Sequence, residues 1–291
     1  MTECSLVLDA KADLGEGAIW DAEKQVLYWV DITGKTLHVF DPEHHTDRSI
    51  PIGQFVGTVV PREAGGVMLA LQNGFYSLDL ETEVLTPVMD PEQNQPENRF
   101  NDGKCDPAGR FWAGTMNLNE TGRSGALYCL DTDLNVRKML TGIGISNGIV
   151  WSLDCRTMYY IDSPTKQVVA FDYEMSSGTL SRQRVMIDLT LDHALPDGMT
   201  IDAEGMIWIA HWGGYRVTRW NPDNGKQLDE IRVPASQVTS CAFGGKDLDV
   251  LYITTARHGL HERELDNQPL AGGIFSVAAQ VKGLPAFSFK G

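Results

Sequence analysis

Cysteine is scarce in this 291-residue chain and does not pair up: Cys4, Cys105, Cys129, Cys155 and Cys241 are odd in number and form no Cys-x-x-Cys. That excludes a disulfide framework and a cysteine zinc site. It also points to a reducing compartment, so the expected location is cytoplasmic. Positive charge is short as well, with 24 Lys and Arg against 39 Asp and Glu and a net charge of −15. Nucleic acid and anionic membrane surfaces both call for a basic footprint and are excluded as partners. A metal ion or a neutral or cationic small molecule fits this charge. No basic segment followed by an apolar run opens the chain, and no run of about 18 apolar residues occurs, so neither a signal peptide nor a membrane span is expected. A Gly-x-Ser-x-Gly elbow is absent, which argues against a serine-triad esterase. No segment holds a 3.6-residue apolar period for long, which argues against a helical fold.

What the chain has is glycine, 29 residues of it with 13 prolines, at an ordinary 42% hydrophobic and 22% charged content. Many turns are therefore expected, and a repeat orders them. Each copy has a polar residue, a glycine and a short apolar strand. A turn, a strand rich in Trp, Tyr and Ile, a second turn and a third strand follow. The copies begin near Gly17, Gly57, Gly103, Gly148, Gly198 and Ala242, which are 40, 46, 45, 50 and 44 residues apart. A period of about 40–50 residues with several short strands marks propeller blades. The expected fold is all-β, one six-bladed β-propeller domain over residues 1–291. A fourth strand of each blade lies between copies, as at Arg184–Ile187, and Leu6–Leu8 completes the last blade and closes the ring.

In such a ring, residues just before each blade's first strand converge on one mouth of the central channel. Those positions carry Glu16, Val56, Asn101 or Asp102, Asn147, Asp197 and the pair Ser240/Cys241. Glu16, Asn147 and Asp197 supply oxygen donors only, which suits hard divalent cations. Three protein ligands leave positions for water and substrate, as in catalytic metal sites. A polar-Gly pair is also ordinary turn chemistry; recurrence on one axis is what favours a site.

Long ordered motifs then match a known family: LGEGAIW, RFNDGKCDPAGRFWAGTM, ISNGIVWSLD, YYIDSPTKQVVAFDY, LPDGMTIDAEGMIWIAHWGG, CAFGGKDLDVLYITTAR and PLAGGIFSV. From about Leu14 to Phe289 the chain resembles the regucalcin (senescence marker protein) and gluconolactonase family of sugar lactonases. The resemblance implies a six-bladed propeller with one divalent ion (Ca, Zn, Mn, Mg or Fe, which it does not distinguish) and hydrolysis of an aldonolactone such as gluconolactone or a pentonolactone. It implies Glu16, Asn147 and Asp197 as metal ligands, and Arg99 and Asn101 as contacts to the substrate hydroxyls. The family's acidic residue after Gly-Thr-Met falls on Asn119, with Glu120 next to it. This departure leaves the third substrate contact open between Asn119 and Glu120.

Asp197 is the expected general base, shared between metal and water. A ligand carboxylate is a weak base beside a cation, which suffices for an activated ester. Two other readings stay open: a calcium-binding regulatory propeller without catalysis, and another hydrolase on the same scaffold, such as an organophosphatase or a luciferin-regenerating enzyme. Either of the latter favours an apolar pocket. The remaining polar groups have plainer roles. His44 and His45 sit in a solvated turn, and His211 is chiefly structural although its strand ends near the mouth. Asp162-Ser163 and Arg257-His258 lack a nucleophile elbow, and Trp20, Trp29, Trp112, Trp208 and Tyr252 pack between blades.

Overall fold

The computed structural model describes residues 4–291. Its strands form six antiparallel four-stranded sheets. After β1 (Ser5–Leu8), the first blade is β2 (Gly15–Asp21), β3 (Val26–Asp31), β4 (Thr36–Asp41) and β5 (Thr46–Pro51). The second is β6 (Val56–Pro61), β7 (Val67–Leu71), β8 (Gly74–Leu78) and β9 (Leu85–Met89), and the third β10 (Asn98–Cys105), β11 (Phe111–Asn117), β12 (Gly125–Leu130) and β13 (Val136–Ile143). The fourth is β14 (Ser146–Trp151), β15 (Thr157–Asp162), β16 (Gln167–Glu174) and β17 (Thr179–Asp188), and the fifth β18 (Leu195–Ile201), β19 (Ile207–Trp212), β20 (Arg216–Asn221) and β21 (Lys226–Arg232). The sixth joins β22 (Val238–Gly244), β23 (Val250–Thr255) and β24 (Ile274–Ala278) to β1 from the other end of the chain.

The first strand of each blade packs against the first strand of the next, and β22 packs against β2. The six therefore close a ring about one axis, and the fold is the six-bladed propeller that the repeat implies. The aromatic positions fill the seams between blades. Trp20 stacks on Tyr252 with ring centroids 5.5 Å apart, Trp112 meets Trp151 edge-on at 6.1 Å, and Trp208 meets Phe243 at 5.7 Å. Such pairs stabilise by about 0.5–1.5 kcal/mol each beyond the area they bury.

Two blades share a lock readable in the sequence as Asp-x5-Trp. Buried Asp106 accepts from the Trp112 indole, the Arg110 guanidinium and the Tyr173 hydroxyl, at 2.9, 2.7 and 2.6 Å. Asp202 likewise accepts from Trp208 at 2.9 Å and Arg219 at 2.7 Å. These carboxylates are buried at no unmet cost because every donor around them is aimed inward. A short helix, α1 (Glu262–Asn267), lies between β23 and β24 and was not expected from the sequence pattern.

Ring closure is a backbone matter: Ser5 pairs with Ser276 and Leu6 with Phe275. A chain lacking residues 1–8 leaves β24 as an open outer edge. Its Tm is expected to fall by roughly 5 °C or more, and its light scattering to rise with concentration. An unchanged Tm would show that β1 contributes nothing to closure.

Candidate functional site

A β-bulge sits in the first strand of every blade. The register with the second strand slips between Glu16 and Ile19, Val56 and Thr58, Phe100 and Gly103, Asn147 and Ile149, Pro196 and Met199, and Val238 and Ser240. A bulge breaks the alternation of a strand and re-aims a side chain. Glu16, Asn101, Asn147 and Asp197 stand at four of these slips. They lie within their strands and are buried, rather than preceding the strands at an open mouth. Glycine makes the approach possible. Gly17 has φ +61, in the left-handed region, and a Cβ on Gly148 would lie 2.9 Å from the Asp197 carbonyl. In the sixth blade the slip falls at Val238–Ser240, not at the expected Ser240/Cys241, because no glycine marks it there. Cys241 is buried with its thiol against the Trp208 carbonyl.

Glu16, Arg99, Asn101, Asn147 and Asp197 line one cavity, together with Glu120 and Ser163. Its apolar wall includes Leu14, Met116, Ile145, Leu195 and Trp212. A continuous hydrogen-bonded row crosses it. Arg99 Nη1 donates to Asn101 Oδ1 at 2.6 Å. Asn101 Nδ2 donates to the Ser146 carbonyl at 2.8 Å and to Asn147 Oδ1 at 3.2 Å. Asn147 Nδ2 donates to Ser163 Oγ at 2.9 Å, and the Ser163 hydroxyl donates to the Pro196 carbonyl at 2.6 Å.

The electrostatics are dominated by buried negative charge. Burial, then the charge of Asp102, pushes the Glu16 carboxyl well up. Burial, then the charges of Glu16 and Asp102, does the same to Asp197. The two carboxyls lie within hydrogen-bonding reach of each other, while Asp197 Oδ1 and Asp102 Oδ2 have no partner. Burial lowers Arg99 to about 10, so it stays charged at neutral pH, supported by Glu120, Glu16 and Asp197. Glu16 and Asp197 therefore hold a proton more readily than a free carboxyl does, with Arg99 the cation beside them. A divalent cation held by Glu16, Asn147 and Asp197 would stabilise their ionised forms and occupy the bare Asp197 Oδ1. Among the described residues no three His, Cys, Asp or Glu gather as a metal cluster; this donor set has two carboxylates and an amide.

Other expected residues fall differently. Asn119 does not line the cavity: its N–H donates to Asn117 Oδ1 in an exposed turn, and Glu120 follows at φ 55 and does line it. Of the two residues left open, Glu120 is the one that lines the cavity. Of the two candidates in the third blade, Asn101 faces the cavity, whereas Asp102 Oδ1 accepts from its own Gly103 N–H at 2.7 Å. His211 is fully buried with Nε2 on Thr218 at 2.6 Å and stays away from the cavity, whereas His258 reaches the rim. Ser163 was not expected in the site; the motif YYIDSP held it, but only the fold brings it to Asn147. A larger cavity of about 550 Å³ lies at the opposite ends of the first strands, lined by Trp20, Lys104, Trp151 and Phe287 among others. It is mostly apolar and holds none of the expected site residues.

Comparison with known proteins gives one answer about kinship. Residues 14–257 match the SMP-30/Gluconolactonase/LRE-like region, and the chain belongs to that family. It is 41% identical over 286 residues to the protein YvrE of Bacillus subtilis (strain 168), covering 98% of both chains; the name of that protein provisionally makes it a sugar lactone lactonase. A luciferin-regenerating enzyme superimposes with a TM-score of 0.94 at 32% identity, over 100% of both chains. The calcium-binding protein regucalcin of Agrobacterium tumefaciens str. C58 superimposes with a TM-score of 0.95 at 28% identity, over 99% of this chain and 97% of that one. No helix among the described residues is long and apolar enough to cross a membrane.

Two predictions follow from these environments. Burial lowers the His211 ring to about 4 from 6.5. Between those values the unfolded chain takes up a proton that the folded chain refuses. Its contribution to stability is therefore complete above about pH 6.5 and declines as the pH falls toward 4. An NMR titration is expected to find this ring neutral at pH 5.5; a charged ring there would contradict the burial. The second concerns charge at the axis. In chelator-treated protein Glu16→Gln removes one of three crowded carboxylates and is expected to raise Tm by roughly 2–4 °C, equivalent to about 1 kcal/mol. A lower Tm would mean the carboxylates do not repel.

Proposed function

We propose that this protein hydrolyses a sugar lactone in the cavity of Glu16, Arg99, Asn101, Asn147 and Asp197, with one divalent cation bound there and the ring acting as one domain. The observation that carries the reading is the partnerless Asp197 Oδ1, buried beside Glu16 and opposite a charged Arg99. Family membership supports lactone hydrolysis, and the calcium-binding relative supports a cation. The five cysteines are free thiols, which fits a reducing compartment such as the cytoplasm.

Glu16, Asn147 and Asp197 would hold the cation through oxygen atoms, as hard divalent ions prefer. When bound, it supplies Lewis-acid stabilisation of the charge that develops on the carbonyl oxygen. Arg99 and Asn101 bind the substrate hydroxyls and orient the ring. Glu120, at the exposed edge, accepts from a hydroxyl and steadies Arg99. Asp197 takes a proton from the attacking water as its oxygen bonds to the acyl carbon. The bond from that carbon to the ring oxygen then breaks, and the ring oxygen takes up the proton, leaving the open hydroxy acid.

The apolar wall of Met116, Ile145, Leu195 and Trp212 favours a second reading, a lactone with an alkyl chain in place of hydroxyls. A panel of aldonolactones and alkyl lactones, followed by pH-stat with and without chelator, separates the two. Faster hydrolysis of the aldonolactones is expected. Absence of any cation-dependent rate on either series would sink the lactonase reading.

The roles of two residues are separable. Asp197→Asn keeps an oxygen donor but loses the base, so hydrolysis is expected to fall by roughly 10²–10⁴ while cation binding persists. Arg99→Ala is expected to raise KM chiefly, with kcat less affected. Near-full activity in a cation-loaded Asp197→Asn protein would show that the base lies elsewhere.

A further inference from the structure

The row from Arg99 to Pro196 has a direction. An amide side chain has two ends of nearly equal size, one oxygen and one nitrogen, and only its hydrogen bonds decide which end points where. At one end of the row stands Arg99, which can only donate, so Asn101 must turn its oxygen to Nη1. Its nitrogen then faces Asn147, which must present oxygen to it at 3.2 Å. At the other end stands the Pro196 carbonyl, which can only accept. It takes the single proton of the Ser163 hydroxyl at 2.6 Å, so Ser163 Oγ has only lone pairs left for Asn147. Asn147 must turn its nitrogen to Ser163, at 2.9 Å, and its oxygen the other way, toward Asn101. Both ends demand the same orientation.

We infer that Ser163 is a positioning residue that keys the Asn147 side chain, so that the oxygen and not the nitrogen faces Glu16 and Asp197. The inference rests on the cation reading of the proposed function, because only a cation makes the difference between the two ends matter: an amide nitrogen offers hydrogens where a ligand needs a lone pair. Ser163 is 3% exposed and joins the fourth blade to the fifth one residue before Asp197, so the key and the second carboxylate share one piece of backbone. Asp162-Ser163 therefore has a use in the site without being a nucleophile. The same row ties the substrate-binding Arg99 to the cation donor Asn147 through Asn101 alone.

Calorimetry on the full chain with Ca²⁺, Mg²⁺, Mn²⁺ and Zn²⁺ in turn selects the cation bound most tightly. For that cation Ser163→Ala is expected to lower affinity by about tenfold, the lower end of what losing a ligand's hydrogen-bond partner costs. In Asn147→Asp both ends are oxygen and no key is needed, so adding Ser163→Ala to it is expected to change affinity by less than about twofold. Full affinity in Ser163→Ala, or an equal loss in both backgrounds, overturns the keying. Should Asn147→Asp not fold, the side-chain amide protons of Asn147 give the same answer: resolved and slow to exchange in the wild type, fast in Ser163→Ala, with unchanged exchange overturning the keying. Failure of the wild type to bind any of the four cations defeats the proposed function itself, and the keying with it.

Discussion

The site depends on a one-residue slip in pairing that recurs in all six first strands. In an unbroken strand the side chains alternate between the two faces of the sheet. In a propeller both faces of a blade are covered by its neighbours, so regular side chains point sideways into the seams. What the first strand offers the axis is its unpaired backbone edge. A bulge releases one residue from that rule, and Glu16, Asn101, Asn147 and Asp197 use the release to face the cavity. Where the slip carries Val56, the second blade adds nothing polar. The buried polar lining thus comes from the first, third, fourth and fifth blades, and the rest of the ring holds those four in place.

Crowding acids at an axis is costly, since burial and mutual repulsion both oppose ionisation. Rigidity makes it tolerable. The seams are filled by large rings, and Tyr173 of the fourth blade donates to Asp106 of the third, so the blades have little room to move apart. A looser scaffold would relax by separating Glu16 from Asp197. The order in the row of amides has the same origin, because Asn101 and Asn147 come from adjacent blades held in fixed register by their backbones. The site is therefore preorganised by packing that lies outside it.

Much of this was legible in the chain. The period fixed six blades, the strand triplets fell where the repeat put them, and Leu6–Leu8 pairs as expected. The polar-Gly pairs marked Glu16, Asn147 and Asp197 because a Cβ on the glycine that follows each would meet the next blade's first strand. The remainder turned on orientation between near neighbours, which spacing does not carry. Asn101 and Asp102 are adjacent, and only the register with β11 decides that the first faces the cavity. Asn119 and Glu120 differ by the φ 55 of the second. Ser163 lies 16 residues from Asn147 on a turn after β15, and its meeting with Pro196 exists only once two blades have docked. The sixth blade was misaligned because its slip carries no glycine, and α1 is too short to show a helical period.

Closure by the N-terminal strand also sets an order of events during synthesis. β1 leaves the ribosome before the other strands, yet its partner β24 is made after all of them, since Ser5 waits for Ser276. At about 5–20 residues per second the wait is roughly 15–50 s. During that interval five blades can form, each from contiguous chain, while the strand that will seal the ring trails from the first blade with its hydrogen-bonding groups open to water. The ring is thus an arc until its final moments, and the cavity, whose donors come from blades one, three, four and five, takes its final shape only when the arc shuts.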